Sequence, residues 1–187
     1  MCRSAGLTLV ELMVAMALVA LLGTLAVPPL AAFLERQQAD VAIRRVAAAV
    51  HASRAFAVTL GEPVLLCPGR PADGCRGHWR DGMLIARDAE VRPGEALAPE
   101  TALRVFAALP TGGRLDWRAF RSRGYLRMLP NGQTDWQNGR FTYCPPSREP
   151  AHIRELVINV QGRARLVHDT DGDGVIEDRD GKPARCE

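Results

Sequence analysis

The chain has 187 residues, with 24 Lys and Arg against 21 Asp and Glu, and a formal net charge of +3. The hydrophobic fraction of 47% and aromatic fraction of 5% exclude a disordered or collagen-like chain. The small net charge excludes a protein that is basic throughout. At about 150 residues per domain, the length predicts one globular domain and an additional segment.

An uncharged segment of 23 residues, Leu12–Leu34, lies near the N-terminus. At about 1.5 Å per residue, a helix of this length crosses a hydrocarbon core of about 30 Å. A secretory signal peptide would have a shorter apolar stretch that ends in a small-residue cleavage site. A buried core helix is the other alternative, but the charge-free run is long for so small a protein. We therefore interpret the segment as a membrane anchor, with Arg3 favouring a cytoplasmic leader.

A specific motif lies at the start of this segment. Gly6 and Leu7 are followed by the letters TLVEL, which place one acid, Glu11, in an otherwise apolar helix. Such an acid costs about 2–3 kcal/mol unless it is paired. The stretch resembles the class III signal of type IV pilins and type II secretion pseudopilins. The resemblance implies cleavage after Gly6 by a prepilin peptidase, methylation of the Leu7 amine, and pairing of Glu11 with a neighbouring subunit's amine during filament assembly. The family usually has Phe where this chain has Leu7.

Helical spacing continues beyond the apolar segment. Apolar residues recur at i, i+3, i+4 and i+7, namely Ile43, Val46, Ala47 and Val50. This pattern predicts a helix with one apolar face. The letters GEP at 61–63 predict its end, and the proline pair at 28–29 predicts a bend because each proline removes a helical hydrogen bond. We expect one long, bent helix from about residue 8 to about residue 60.

After residue 61 the pattern changes to short apolar runs bounded by Gly, Pro, Asn and Asp, which predict strands. The predicted strands are Val64–Cys67, Met83–Ala86, Leu103–Ala108, Tyr125–Leu129, Arg140–Cys144, Leu156–Val160 and Arg165–His168. No strand–helix–strand alternation occurs, so the sheet should be antiparallel and packed on the amphipathic helix. The predicted fold is α+β and pilin-like. Its predicted parts are a prepilin leader (1–6), a transmembrane and filament-core helix (7–34), the amphipathic half of that helix (35–61) and an antiparallel β domain with an acidic tail pinned by a cysteine (62–187).

Cysteine usage agrees with export. Cys2 leaves with the leader, and four cysteines remain, which allow three pairings. We predict the disulfides Cys67–Cys75 and Cys144–Cys186. A zinc site is the weaker alternative because no C-x-x-C pair occurs. Disulfides require an oxidising compartment, which fits a periplasmic domain.

Further motifs resemble the GspH/FimT family of minor pilins and pseudopilins. Trp79 and residues 81–88 follow Cys75. Residues 81–88 lie where the family usually has a G-W-x-V-F-x-D type strand, but they lack its Trp. Residues 139–144 resemble the family's G-x-F-x-x-C strand. Some FimT-like minor pilins bind DNA through a G-R-x-R motif, which implies this role for Gly162, Arg163 and Arg165. GspH-like members lie near the tip of the type II secretion pseudopilus. The expected partners are other pilins or pseudopilins, prepilin peptidase, the bacterial inner membrane and double-stranded DNA.

The charge distribution favours the DNA-binding alternative. Residues 35–103 carry 9 basic and 9 acidic side chains, whereas residues 104–165 carry 11 Arg and 4 acids. The basic block interleaves arginines with aromatic residues: Arg114, Arg118, Arg121, Arg123 and Arg127 with Trp117, Phe120 and Tyr125. Arginine at this density suits phosphate contacts that weaken with salt. The alternative to DNA binding is a solvent-exposed strand face. Its many arginines would then follow from the general composition, since nearly all basic residues of the chain are arginine.

The tail reverses the sign of the charge, with 7 acids and 3 bases in residues 166–187. Its sequence fits the D-x-D-x-D-G start of a calcium loop, with Asp169, Asp171 and Asp173 as carboxylate ligands, Val175 as a carbonyl ligand and Asp180 at the twelfth position. The alternative is a hydrophilic turn without a metal. If calcium binds, it should raise DNA affinity by neutralising acids beside the G-R-x-R arginines.

No other cofactor is expected, and no nucleophile or phosphate-loop pattern occurs, so we do not expect an enzyme.

Overall fold

The computed structural model describes residues 8–91, 95–97, 101–109, 112–120, 124–177 and 181–186. Helix α1 spans Leu9–Leu60. It begins after Thr8, whose Oγ1 accepts a hydrogen bond of 3.2 Å from the Glu11 amide. It ends at Gly61, which takes a φ of +68°. The predicted extent of the helix is therefore confirmed, and the helix continues through the proline pair. The bend at those prolines stays a prediction.

The chain divides into two compact units, Met1–Gln37 and Gln38–Glu187. In the first unit the described apolar side chains of α1 are exposed. An 18-residue window of α1 has a mean hydropathy of 2.3 and no buried residues, so by length and composition the helix can cross a membrane.

The second unit contains all the buried hydrophobic residues of the described chain. Its part of α1 buries one face, formed by Ala39, Ala42, Ile43, Val46, Ala49, Val50, Ser53 and Ala57. This face has the spacing predicted from the sequence. Small residues dominate it, so strands can approach the helix backbone closely.

In the part of the chain that the structure describes, eight strands follow α1 and form two antiparallel sheets. The first sheet has the order β3-β2-β1-β5, with β1 Val64–Pro68, β2 Met83–Arg87, β3 Ala102–Phe106 and β5 Leu126–Met128. The second sheet has the order β4-β6-β7-β8, with β4 Arg114–Ala119, β6 Gly139–Cys144, β7 Arg154–Ile158 and β8 Ala164–Leu166. The α+β class is confirmed. The expectation of one sheet was wrong. Strand β4 does not pair with β3 but with β6, which belongs to a second sheet.

Seven of the eight strands match predicted ones, with ends that differ by one or two residues. Strand β4 was missed because Arg114, Asp116 and Arg118 interrupt its apolar residues. Leu115 and Trp117 between them are buried, so the strand has a period of two rather than an apolar run. Both sheets share one core with α1, in which Trp117 stacks on Phe141 with ring centroids 4.4 Å apart.

Two disulfides close loops of different length. The Cys67–Cys75 bond, here called the short-loop disulfide, spans a separation of 8 residues. The Cys144–Cys186 bond, here called the tail disulfide, spans 42 residues and ties the C-terminal tail to the end of β6. The structure thus contains the two predicted pairings.

Candidate functional site

The processing residues lie at the very start of the chain. Gly6 and Leu7 fall outside the described residues, so cleavage and methylation stay predictions. Glu11 lies in the first turn of α1 with an exposed side chain. A carboxylate in the first turn is favoured by the helix dipole. Its pairing with another subunit stays a prediction, since the structure contains one chain.

The G-R-x-R motif forms the tight hairpin between β7 and β8. The Gly162 amide donates to the Asn159 carbonyl at 2.9 Å, and the Asn159 amide donates to the Arg163 carbonyl at 3.1 Å. The Asn159 side chain also accepts from the Arg163 amide at 2.9 Å. Gly162 has a φ of +72°, as the last residue of a three-residue hairpin loop often does. The turn therefore holds Arg163 at the head of β8 in a fixed backbone conformation.

Gly162 is buried, and its role in the hairpin is steric. A Cβ atom at this position would lie 2.2 Å from the carbonyl oxygen of Gly132. Gly132 has a φ of +77°, and a Cβ there would lie 2.9 Å from Nε of Arg54 on α1. The hairpin thus packs on a second turn, which packs on the helix. Gly162 therefore positions the G-R-x-R motif, and the two arginines of the motif are the residues that can contact a ligand.

Arg163 and Arg165 are both exposed, and their side chains make no ion pair or hydrogen bond with any described residue. Arg165 lies in the middle of β8, and Arg163 comes directly before that strand. Residues two apart in an extended segment share a face, so this spacing places both side chains on one side of the hairpin. That side is the face of the second sheet turned away from the core, here called the outer face. Two unpartnered guanidinium groups on a rigid hairpin can bind phosphate oxygens.

The outer face continues this positive charge across the sheet. Arg118 pairs with Arg140, Arg140 with Val157, and Val157 with Arg165 in the strand register. Paired residues of antiparallel strands share a face, so Arg118, Arg140 and Arg165 form one row, here called the arginine row. Like charges directly opposite each other destabilise a sheet, and the Glu155 carboxylate, 3.5 Å from a nitrogen of Arg140, offsets part of that repulsion. The sequence did not reveal this row, and the alternation in β4 was the signal that could have.

Other arginines of the basic block are neutralised within the fold. Arg114 donates to Asp116 at 2.7 Å, and Arg154 donates to Asp40 of α1 at 2.6 Å. Arg127 pairs with Asp88 and Asp135. Desolvation acts to lower the pKa of Arg127, but hydrogen bonds and charges from the two acids outweigh it and raise that pKa above its ordinary value. In each of these pairs an acid of the fold balances the charge of the arginine.

The aromatic residues of the basic block differ in how accessible they are to a ligand. Trp117 is buried in the core and cannot stack on a base, whereas Phe120 is 67% exposed. Arg121 and Arg123 lie outside the described residues.

The acidic loop, here defined as residues 169–177, brings four carboxylates close together. Oxygens of Asp169, Asp171, Asp173 and Glu177 all lie within 4.8 Å of one another. Hydrogen bonds from the Gly172 and Gly174 amides lower the pKa of Asp169. Val175 also lies in this loop.

Three of the predicted carboxylate ligands are therefore close together. Glu177 joins them, although the sequence analysis did not predict it as a ligand. Asp180 lies outside the described residues. Calcium binding stays a prediction, because an exposed acidic loop of this form also occurs without a metal.

One long apolar N-terminal helix followed by an antiparallel β domain defines a pilin-like subunit. Residues 1–27 match the prokaryotic N-terminal methylation motif, and residues 42–162 match the family described as Type II transport protein GspH. The second match covers more than half of the chain, so the protein belongs to the GspH family. The resemblance drawn from the sequence is confirmed.

Solved structures of minor pilins and pseudopilins have a similar fold. The type IV minor pilin FimU of Pseudomonas aeruginosa is 19% identical, with a TM-score of 0.55, over 72% of this chain and 91% of that one. The minor pseudopilin EpsH from the type 2 secretion system of Vibrio cholerae is 12% identical, with a TM-score of 0.51, over 70% of this chain and 96% of that one. No curated protein matches by sequence.

Proposed function

We propose that this GspH-family subunit is a FimT-like minor pilin that binds double-stranded DNA through Arg163 and Arg165 and serves natural transformation. The observation that carries the proposal is the pair of exposed, unpartnered guanidinium groups on one side of a hairpin fixed by Gly162. Arginine contacts to phosphate position a protein on DNA without reading its sequence. The proposed activity is therefore binding and not catalysis.

The N-terminal half of the proposal concerns assembly. Cleavage after Gly6 and methylation of Leu7 would leave α1 in the inner membrane, with the β domain in the periplasm. Glu11 would then pair with the amine of the next subunit in a pilus. The match to the N-terminal methylation motif supports this route. Mass spectrometry of the protein from cells should show loss of residues 1–6 and one added methyl group. An intact leader in the assembled form would contradict it.

The DNA-binding test uses the full chain in a non-ionic detergent. Each phosphate contact contributes about 0.9 to the salt exponent, which corresponds to about 8-fold in affinity at 0.1 M salt. Replacing both Arg163 and Arg165 with Ala should therefore weaken binding about 60-fold. A matched control replaces Arg44 and Arg76, which are also exposed and lack a described side-chain partner. Equal affinity of the two variants would contradict the proposed site.

A GspH-like pseudopilin of the type II secretion system is the second candidate. The family match and the likeness to EpsH favour it. Such a subunit would act through contacts with other pseudopilins and would not bind DNA. Absence of DNA binding by the wild-type chain, together with a secretion defect when the gene is deleted, would establish this candidate instead.

A further inference from the structure

Two aromatic side chains of the second unit are exposed in the part of the chain that the structure describes. Phe120 is 67% exposed and Trp136 is 62% exposed. The Phe120 amide donates to the Asn138 carbonyl at 2.9 Å, and Trp136 lies two residues before Asn138 in the chain. Neither ring belongs to the core that the two sheets share with α1, so both rings are accessible to a ligand.

Trp136 has an unusual backbone conformation. Its φ of +58° lies in the left-handed region, which Gly and Asn adopt readily and a bulky side chain does not. Residues in such strained conformations persist only where the surrounding structure fixes them, and they cluster at functional sites. The conformation of Trp136 therefore points to a use for its side chain.

The neighbours of Trp136 fix this conformation. The Trp136 amide donates to the Thr134 carbonyl at 2.8 Å, and the Gln137 amide donates to Oγ1 of Thr134 at 3.2 Å. The buried Gln137 side chain accepts from the Arg127 amide at 2.7 Å and donates to the Tyr125 carbonyl at 2.8 Å. The fold thus buries polar neighbours of Trp136 and leaves the apolar ring in solvent.

The surroundings of Trp136 suit a nucleic-acid base better than a protein partner. Residues 131–138 have the letters NGQTDWQN, in which Trp136 is the one apolar side chain. The core of a protein interface groups several apolar and aromatic side chains, whereas a single ring is sufficient to stack on a base. Asn138 is exposed, and its side chain has no partner among the described residues, so its amide can bond to the polar edge of a stacked base.

Trp136 lies at the same end of the second sheet as the G-R-x-R hairpin. The Thr134 amide donates to the Val160 carbonyl at 2.9 Å, and Asn159, next to Val160, pairs with Arg163 across the hairpin. Three residue steps of about 3.8 Å and two hydrogen-bonded crossings of about 5 Å therefore place the Cα atoms of Trp136 and Arg163 within about 21 Å of each other. At about 3.4 Å per phosphate, about six nucleotides of one DNA strand span this distance.

We infer that Trp136 stacks on an unpaired base of the DNA whose phosphates Arg163 and Arg165 contact, so that the site prefers a single-stranded segment to continuous duplex. The inference rests on the proposed function and names the form of DNA that the site binds best. In a continuous duplex the neighbouring base pairs cover both faces of every base. The ring of Trp136 therefore reaches a base face only where the strand is unpaired.

The test compares two substitutions of Trp136 in the full chain in non-ionic detergent. Trp136→Asn removes the ring and places at φ +58° a residue type that tolerates the left-handed conformation, so the variant should fold as well as the wild type. Trp136→Phe is the matched control, because it keeps an aromatic ring at the same position. Equal or higher thermal midpoints of the Asn variant exclude a folding defect.

Two DNA probes separate stacking from phosphate contacts. One is a thymidine oligonucleotide of about 12 residues, twice the span estimated above. The other is a relaxed, covalently closed duplex circle, in which every base is paired and stacked. Trp136→Asn should weaken binding to the oligonucleotide about 5- to 140-fold, the range for loss of one stacked base, and leave binding to the circle unchanged. The slope of log affinity against log salt should not change, since no phosphate contact is lost.

Tryptophan fluorescence gives a second readout. Trp79 and Trp117 are buried, so quenching of the emission by the oligonucleotide reports on Trp136. Quenching should occur in the wild type and be absent from Trp136→Phe, although that variant should keep its affinity within about 5-fold of the wild type.

The outcomes separate the inference from the proposed function. If the Arg163 and Arg165 variant loses binding and Trp136→Asn binds the oligonucleotide as the wild type does, the inference is overturned and the proposed function stands. If the wild type binds neither probe, both are overturned. If Trp136→Asn abolishes self-association of the chain in sedimentation and leaves the affinity for both probes unchanged, Trp136 contacts another subunit, and the inference is overturned.

Discussion

The packing of the hairpin on its neighbouring turn makes Gly162→Ala the most informative single substitution. An L-residue in the left-handed conformation costs about 1–2 kcal/mol, and this position has a φ of +72°. The new Cβ would also lie 2.2 Å from the Gly132 carbonyl oxygen, which is backbone and is itself packed on Arg54. Overpacking of this kind costs about 1–3 kcal/mol. The expected loss of stability is therefore about 2–5 kcal/mol.

A matched substitution isolates the effect of the close approach. Gly61 has a φ of +68° and nothing within 4 Å of its Cβ position, so Gly61→Ala has the conformational cost alone. For a domain of this size, 1 kcal/mol shifts the melting temperature by about 2–4 °C. Thermal unfolding of the full chain in detergent should show Gly162→Ala melting well below Gly61→Ala. Equal melting temperatures would refute the account of the hairpin packing.

Three further predictions concern the tail and the disulfides. Replacing both cysteines of the tail disulfide with Ser should destabilise the domain by about 4 kcal/mol, and the same change at the short-loop disulfide by about 2.5 kcal/mol. The difference arises because closing the longer loop removes more entropy from the unfolded chain. Equal effects in thermal unfolding would contradict this. Calcium should raise both the melting temperature and the DNA affinity, and a titration that changes neither would remove calcium from the account. Because backbone amides lower the pKa of Asp169, its contribution to the order of the acidic loop is fully present above the ordinary value of 3.8 and is lost as the pH falls below it. Amide NMR signals of the loop should report that loss, and signals unchanged down to pH 2 would contradict it.

The sequence predicted the helix well because its signal is local. The charge-free run and the i, i+3, i+4 spacing of Ile43, Val46 and Val50 depend only on neighbouring residues. The division into two sheets depends on which strands pair over long distances, and no local pattern contains that information. Strand β4 was missed because a search for apolar runs passes over a strand whose outer face is charged.

The candidate site was predicted in part. The motif at Gly162, Arg163 and Arg165 is contiguous, so the sequence identified it. The steric role of Gly162 depends on Gly132, which lies 30 residues earlier in the chain. The arginine row likewise depends on strand register, which a sequence pattern does not specify.

The salt dependence of DNA binding tests the central claim most directly. The full chain in non-ionic detergent is titrated with double-stranded DNA over a series of salt concentrations, for the wild type and for the variant with Ala at Arg163 and Arg165. The two arginines should contribute about 1.8 to the slope of log affinity against log salt, since each phosphate contact contributes about 0.9. A slope lower by that amount in the variant, and unchanged in the Arg44 and Arg76 control, is the predicted result. Parallel lines for wild type and variant would contradict the assignment of Arg163 and Arg165 as phosphate contacts.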